Sequence, residues 1–341
     1  LVHPVGIKGS VHRAIGADGP QRTHDARTRP PRRNARTPAR SASLVVSMLL
    51  VAAGGCSSWT DGSHGVPCSG RATRAYADYP GVDPDLTSID LYLPASGSDR
   101  CVDRPLVVWV HGGAWHEGDK TDHIADKAAL FTEAGYVFAS VNYRLTDGSD
   151  PPTPQYPVHD QDVADAIAWL SDHANEFGVD PGRVAAFGHS AGGGIVAAVA
   201  TDPRYLDEHG LDLDAIRCAG SIDGEGYDIA AGAEHPDPRV REPYLNAFGS
   251  DPVEWTAASP LEHIAPGKSI PDYLVVSRGP SMRLELHHEF IDALRGADVP
   301  VTVVDATSLD HETVSADIGK AGDTVVTPPL MAFLDACFAQ G

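Results

Sequence analysis

Unbroken apolar runs recur along the chain, separated by segments whose apolar residues fall at helical spacing. That alternation predicts an α/β domain with a largely parallel sheet. Leu106-Val-Val-Trp-Val110 and Tyr136-Val-Phe-Ala-Ser-Val141 have no polar face, as strands covered on both sides require. Leu91-Tyr-Leu93 reads as a short earlier strand. Asp122 to Ala134 reads as a helix that stops at Gly135, and after Asp160 the residues Val163, Ala166, Ile167 and Leu170 keep helical spacing until Gly178. Further strands are predicted at Arg183 to Phe187, Cys218 to Ile222, Tyr273 to Ser277 and Val301 to Val304. Helices are predicted near Arg283 to Arg295 and Pro329 to Phe338. One domain over 76–341 accounts for all of these, after a Ser/Gly-rich linker over 56–75.

The first 40 residues are basic, with only Asp18 and Asp25 as acids, and lead into the short apolar run Ser41 to Ala53. That run is too short to span a bilayer and has the length of a signal-peptide core, so residues 1–55 are read as leader and signal peptide, outside the fold. Ala53-Gly54-Gly55-Cys56 resembles the lipobox of bacterial lipoproteins, which implies lipidation at Cys56 and an exported, cell-surface location. Secretory cleavage nearby, giving a secreted protein, is the alternative. Export implies oxidised thiols, and the four remaining cysteines fit two bridges, with Cys68–Cys101 and Cys218–Cys337 favoured among three pairings. No cysteine has a partner at zinc-finger spacing, so no metal is expected.

Composition narrows the classes further. With 341 residues, 42% of them hydrophobic, the chain can bury a large core, which excludes a disulfide mini-protein or a mostly disordered chain. Its net charge of −21 comes from 26 Lys+Arg against 47 Asp+Glu, and the body beyond the basic leader is more acidic still. Such a body has no electrostatic reason to bind nucleic acid or anionic lipid, leaving a lipid anchor at the N-terminus as the only expected membrane contact.

Chemistry enters at Gly188-His-Ser190-Ala-Gly192, a G-x-S-x-G between a predicted buried strand and a small-residue helix. Glycine at those two places lets a tight turn lift the Ser190 hydroxyl above the sheet edge and aim a helix N-terminus at it. His111-Gly112-Gly113-Ala114-Trp115 follows an earlier strand. A glycine-rich loop there can point backbone N–H groups at the negative oxygen of an acyl-transfer intermediate, and Gly113, Ala114 and Ala191 are the expected donors.

With these motifs the chain resembles the α/β-hydrolase superfamily, in its esterase/lipase group with His-Gly-Gly beside the oxyanion hole. Further similarities are Gly118-Asp119-Lys120, Asn142-Tyr143-Arg144, and Tyr156-Pro157 with Asp160 and Asp162. The resemblance spans Tyr76 to Phe338 and is strongest to feruloyl and acetyl-xylan esterases and arylformamidases. It implies an eight-stranded, mostly parallel sheet flanked by helices, and cleavage of a small-molecule ester through a serine acyl-enzyme without cofactor.

In that superfamily the order is Ser, acid, His. His311 follows the last strand and is the expected base, while His287 and His288 read as solvated helix residues, His263 as part of a loop, and His189 as a packing or pocket residue. The acid is harder to place. The segment after the seventh strand, Arg278-Gly-Pro-Ser-Met-Arg283, has no carboxylate. Asp223, after the sixth strand, is chosen over Glu225 and Glu285; Asp310 adjoins His311, and adjacent side chains diverge. Trp115, Tyr143 and Tyr227 are expected to line an acyl or aryl pocket, and Asp228 to Pro271 to form a cap or a surface loop. The alternatives are a non-catalytic hydrolase-fold lipoprotein that binds a ligand or partner, and an amide hydrolase of the arylformamidase or peptidase kind.

Overall fold

The sheet has eight strands. β1 is Gly70–Ala75, β2 Ser88–Leu93, β3 Arg104–Val110, β4 Val137–Val141, β5 Val179–His189, β6 Cys218–Ile222, β7 Asp272–Ser277 and β8 Val301–Asp305. Their spatial order is β1-β2-β4-β3-β5-β6-β7-β8, and only β2 runs against its neighbours. The structure is a computed structural model that describes residues 69–95 and 102–339. The leader, Cys56, Cys68 and Cys101 lie outside the described residues.

Side chains alternate across a strand, so an all-apolar strand feeds two cores at once. In β3, Val108 and Val110 enter one core with Ile195 and Leu294, while Val107 and Trp109 enter the other with Phe131 and Leu334. The helices Val158–Asp172, Ala191–Thr201 and Ser281–Gly296 cover the first face. Ala125–Glu133 and Thr327–Phe338 cover the second. On that second face Cys218, which opens β6, is bonded to Cys337. One of the two favoured bridges is therefore present, while both cysteines of the other lie outside the described residues.

The register fixes where chemistry can occur. Val110 pairs with Gly188, His189 with Ile222, Ile222 with Val276 and Ser277 with Asp305. The loops that follow β3, β5, β6, β7 and β8 consequently leave one edge of the sheet together, which is where open α/β sheets build their sites.

Two sequence expectations need correction here. Gly70–Ala75, assigned to the linker, is the edge strand β1. Its mostly exposed, polar side chains gave no apolar period to read, and its anchor is polar: Arg71 pairs with the buried Asp90, and Thr73 Oγ1 donates to Asp90 Oδ1 at 2.6 Å. The second is the cap. The stretch 228–271 folds into helices Ile229–Ala233, Pro238–Phe248, Pro252–Ala258 and Pro260–His263, which bury Tyr244, Phe248 and Trp255 against the domain instead of lining the space above Ser190.

Candidate active site

β5 ends at His189 and the helix Ala191–Thr201 starts at the second residue after it, so Ser190 makes the turn alone. Its φ of 54° and ψ of −123° are strained for a residue with a side chain, and the surroundings hold it there. Ser190 N donates to Ile222 O at 3.1 Å, and Ser190 O accepts from the amides of Gly193, Gly194 and Glu225 at 2.9, 3.2 and 3.1 Å. The flanking glycines are sterically obligatory. A Cβ on Gly188 would lie 2.1 Å from Gly192 O, and one on Gly192 would lie 2.3 Å from His111 O.

His311 arrives on the loop after β8. Its Nε2 lies 2.9 Å from Ser190 Oγ, and its Nδ1 is hydrogen-bonded to Asp223 Oδ2. Asp223, the first residue after β6, is fully buried at a φ of 47°, and its amide donates to Val276 O at 2.9 Å. Two cations offset this buried charge: Arg278 Nη1 is 3.2 Å from Asp223 Oδ2, and Arg283 Nη1 is 3.3 Å from Oδ1. Thus the segment after β7, where the superfamily's acid was missed, sends arginines back to an acid supplied by β6. His189 Nε2–H donates to His311 O at 2.9 Å, fixing the base's backbone, and burial lowers the His189 pKa to about 3 so that it stays neutral.

A second carboxylate stands beside the nucleophile. Glu225 Oε1 is 3.3 Å from Ser190 Oγ and 3.8 Å from His311 Nε2, and Arg283 Nη2 pairs with that same oxygen. Asp223 and Glu225 thereby face Arg278 and Arg283 in a charge-balanced cluster, the condition under which buried ions are tolerated.

Opposite lies the loop after β3. Gly113, Ala114 and Trp115 take φ values of 117°, 48° and 64°, and a Cβ on Gly113 would sit 1.9 Å from Glu117 O. Among the described residues no acceptor occupies the amides of Gly113, Ala114 or Ala191. The loop is buttressed from beneath. Tyr143 stacks on His111 with ring centroids 4.5 Å apart, Asn142 Nδ2 donates to Asp119 Oδ2 at 2.9 Å, and Arg144 Nε donates to Asp162 Oδ2 at 2.9 Å. Gly113, Ala114, Ser190, Glu225 and His311 share one open cavity of about 460 Å³. Among the described residues no group of three or more His, Cys, Asp or Glu side chains is placed to hold a metal, and no helix is long and apolar enough to cross a membrane.

The structure thus brings Ser190, His311, Asp223, Gly113, Ala114 and Ala191 to one place. It does not bring the three aromatics. Trp115 packs edge-on against Tyr244 and Phe248 and Tyr143 lies beneath His111; Tyr227 stacks on Phe290 while its OH meets Ser221 Oγ at 2.6 Å, and all three are buried outside the Ser190 cavity, although Tyr227 lines a second cavity that shares Glu225 with it. Glu285 is exposed on the helix Ser281–Gly296, and Asp310 spends its carboxylate on the amides of Glu312 and Thr313. His287, expected in solvent, is fully buried, where Ser277 Oγ–H donates to its Nδ1 at 2.9 Å and its Nε2–H donates to Gly224 O at 3.0 Å. His288 is exposed, and His263 caps Ala257 O at 2.8 Å. Arg278 and Arg283 were missed; the available signal was two basic residues in a segment that lacks its expected acid.

Known proteins agree with this architecture. The BD-FAE family model matches residues 89–217. Esterase LipI of Mycobacterium tuberculosis is 27% identical over 255 residues, covering 67% of this chain and 76% of LipI. Esterase LipC of the same organism is 29% identical over 201 residues, covering 56% of this chain and 48% of LipC, so the chain spans about half of that relative. Among solved structures, esterase B from Lactobacillus rhamnosis superposes with a TM-score of 0.64 at 19% identity, over 81% of this chain and 88% of that one.

Proposed function

We propose that this chain, an α/β-hydrolase of the carboxylesterase-like kind, cleaves carboxylic esters through an acyl-enzyme on Ser190. The observation that carries the reading is the line of contacts from Ser190 Oγ to His311 Nε2 and from His311 Nδ1 to Asp223. Asp223 accepts from Nδ1–H, which leaves the Nε2 lone pair facing the serine hydroxyl. Ser190 Oγ attacks the ester carbonyl carbon as His311 Nε2 takes its proton, and the amides of Gly113, Ala114 and Ala191 receive the oxyanion. His311 then gives that proton to the departing alkoxide, releasing the alcohol. A water repeats the sequence on the acyl-enzyme, and the acid leaves with Ser190 restored. No step calls for a cofactor.

The contact between Asp223 and His311 Nδ1 supports the catalytic reading over the non-catalytic one. Turnover of p-nitrophenyl acetate and butyrate, with Ser190→Ala alongside, tests the proposal. A rate that Ser190→Ala does not reduce refutes it. Export is also proposed, supported by the Cys218–Cys337 bond, since such bonds persist in oxidising compartments. Labelling of the full chain by a lipid precursor, lost in Cys56→Ala, is the expected result for anchoring at Cys56.

A further inference from the structure

The position of Glu225 constrains the ester itself. At the carbonyl carbon one direction is the bond to Ser190 Oγ, the oxygen faces the loop amides, and the leaving oxygen faces His311 Nε2. The acyl chain takes the remaining side, and Glu225 Oε1, pinned by Arg283, borders this reacting centre at 3.3 Å from Oγ and 3.8 Å from His311 Nε2. Beside this pair lies a second cavity of about 370 Å³, with Tyr227, Val240, Tyr244 and Leu286 in its wall and the exposed Met282 and Glu289 at its solvent-open rim, and Glu225 lines both spaces. An aliphatic chain directed from Ser190 toward the second space meets that ion pair first, and a chain stopped short of it lies against a carboxylate without offering a hydrogen bond.

We infer that Glu225, held by Arg283, is the specificity residue that restricts the acyl group to short chains such as acetyl, and that the cavity behind it is an acyl pocket closed off from the Ser190 side. This rests on the ester-hydrolase reading. Removing the Glu225 side chain joins the two spaces. Each added methylene that enters the pocket is then worth about fourfold in relative transition-state binding, or about 250-fold for the four methylenes between acetyl and hexanoyl.

The test is kcat/KM for p-nitrophenyl acetate, butyrate, hexanoate and octanoate in the wild type, Glu225→Ala, Glu225→Gln and Glu225→Ala/Leu286→Trp. The wild type is expected to fall steeply with chain length, and Glu225→Gln to keep that profile because glutamine fills the same space and still accepts from Arg283. Glu225→Ala is expected to raise the hexanoate-to-acetate ratio by up to about 250-fold, and Leu286→Trp to reverse the gain by refilling the pocket. A ratio in Glu225→Ala equal to the wild type's overturns the inference, as does a gain that Leu286→Trp leaves intact. Ser190→Ala separates the two levels. If no ester, acetate included, gives a rate that Ser190→Ala abolishes, the hydrolase reading falls, whereas Ser190-dependent turnover in Glu225→Ala with an unchanged chain-length profile sinks only the gate.

Discussion

Replacing Asp223 with asparagine isolates the contact on which the triad depends. Asparagine has nearly the same shape, but its NH₂ group can donate to His311 Nδ1. That would favour the tautomer with the proton on Nε2, facing Ser190 Oγ where a lone pair is required. For triad acids this swap costs on the order of 10⁴ in kcat, or about 5 kcal/mol of transition-state stabilisation. Glu225 cannot substitute, because its carboxylate lies 3.8 Å from Nε2, the wrong nitrogen. A separate effect falls on folding: Arg278 loses its 3.2 Å counter-charge while Arg283 keeps Glu225, so roughly 3 kcal/mol of stability goes as well. Urea titration measures that loss, and kcat/KM on p-nitrophenyl acetate, taken where both proteins are folded, measures the catalytic one. Glu285→Gln serves as the matched control and is expected to leave the rate unchanged. Retention of more than about a tenth of the wild-type rate by Asp223→Asn would refute the assignment, since a triad acid's loss is some three decades larger.

Three further outcomes are expected. Removing the Cys218–Cys337 bond, which closes a loop of 119 residues, should cost about 2–5 kcal/mol in urea titrations of the oxidised protein against the Cys218→Ser/Cys337→Ser variant. Gly192→Ala should yield little folded protein because its Cβ meets His111 O at 2.3 Å, whereas Gly148→Ala, with nothing within 4 Å, should match the wild type in thermal unfolding. Burial raises the Asp160 pKa to about 8, and the nearby Asp202 and Asp162 add to the shift against Arg204 and the Tyr205 hydroxyl. A raised folded-state value means that stability is fully present below the unfolded pKa near 4 and is lost as pH rises through 8. Asp160→Asn, which imitates the protonated acid and still accepts from Tyr205 OH, should flatten the decline between pH 5 and 8; an unchanged slope would place that titration elsewhere.

How far the sequence could be read depended on whether a signal was local. β3, β4 and β6 are buried on both faces and announce themselves, and the nucleophile turn is written in two glycines where any Cβ would collide with backbone oxygen. β1 is held by Arg71 and Thr73 against a single buried aspartate on the next strand, a pattern with no periodicity. Trp115, Tyr143 and Tyr227 carry the residue types of a binding pocket, yet each is also a large apolar body. Only packing decides between the two: it puts Trp115 and Tyr143 in the core, and buries Tyr227 in the wall of the second cavity beside Glu225. His287 was misread because burial on the helix Ser281–Gly296 is imposed from outside by Gly224 and Ser277. Asp223 could be chosen because it directly follows the sixth strand, while Glu225 stayed an alternative, since which carboxylate reaches Nδ1 is a matter of two residues' displacement along one loop.

The bond between Cys218 and Cys337 encloses the part of the chain that carries Asp223, Glu225, both arginines and His311. Any single cut between those cysteines, for instance by a foreign peptidase, yields two fragments still joined by sulfur, with the imidazole tethered to the piece that bears the serine. A nicked molecule of this kind can keep its machinery assembled until a reductant arrives, so loss of a full-length band on a reducing gel would not by itself report loss of a working protein.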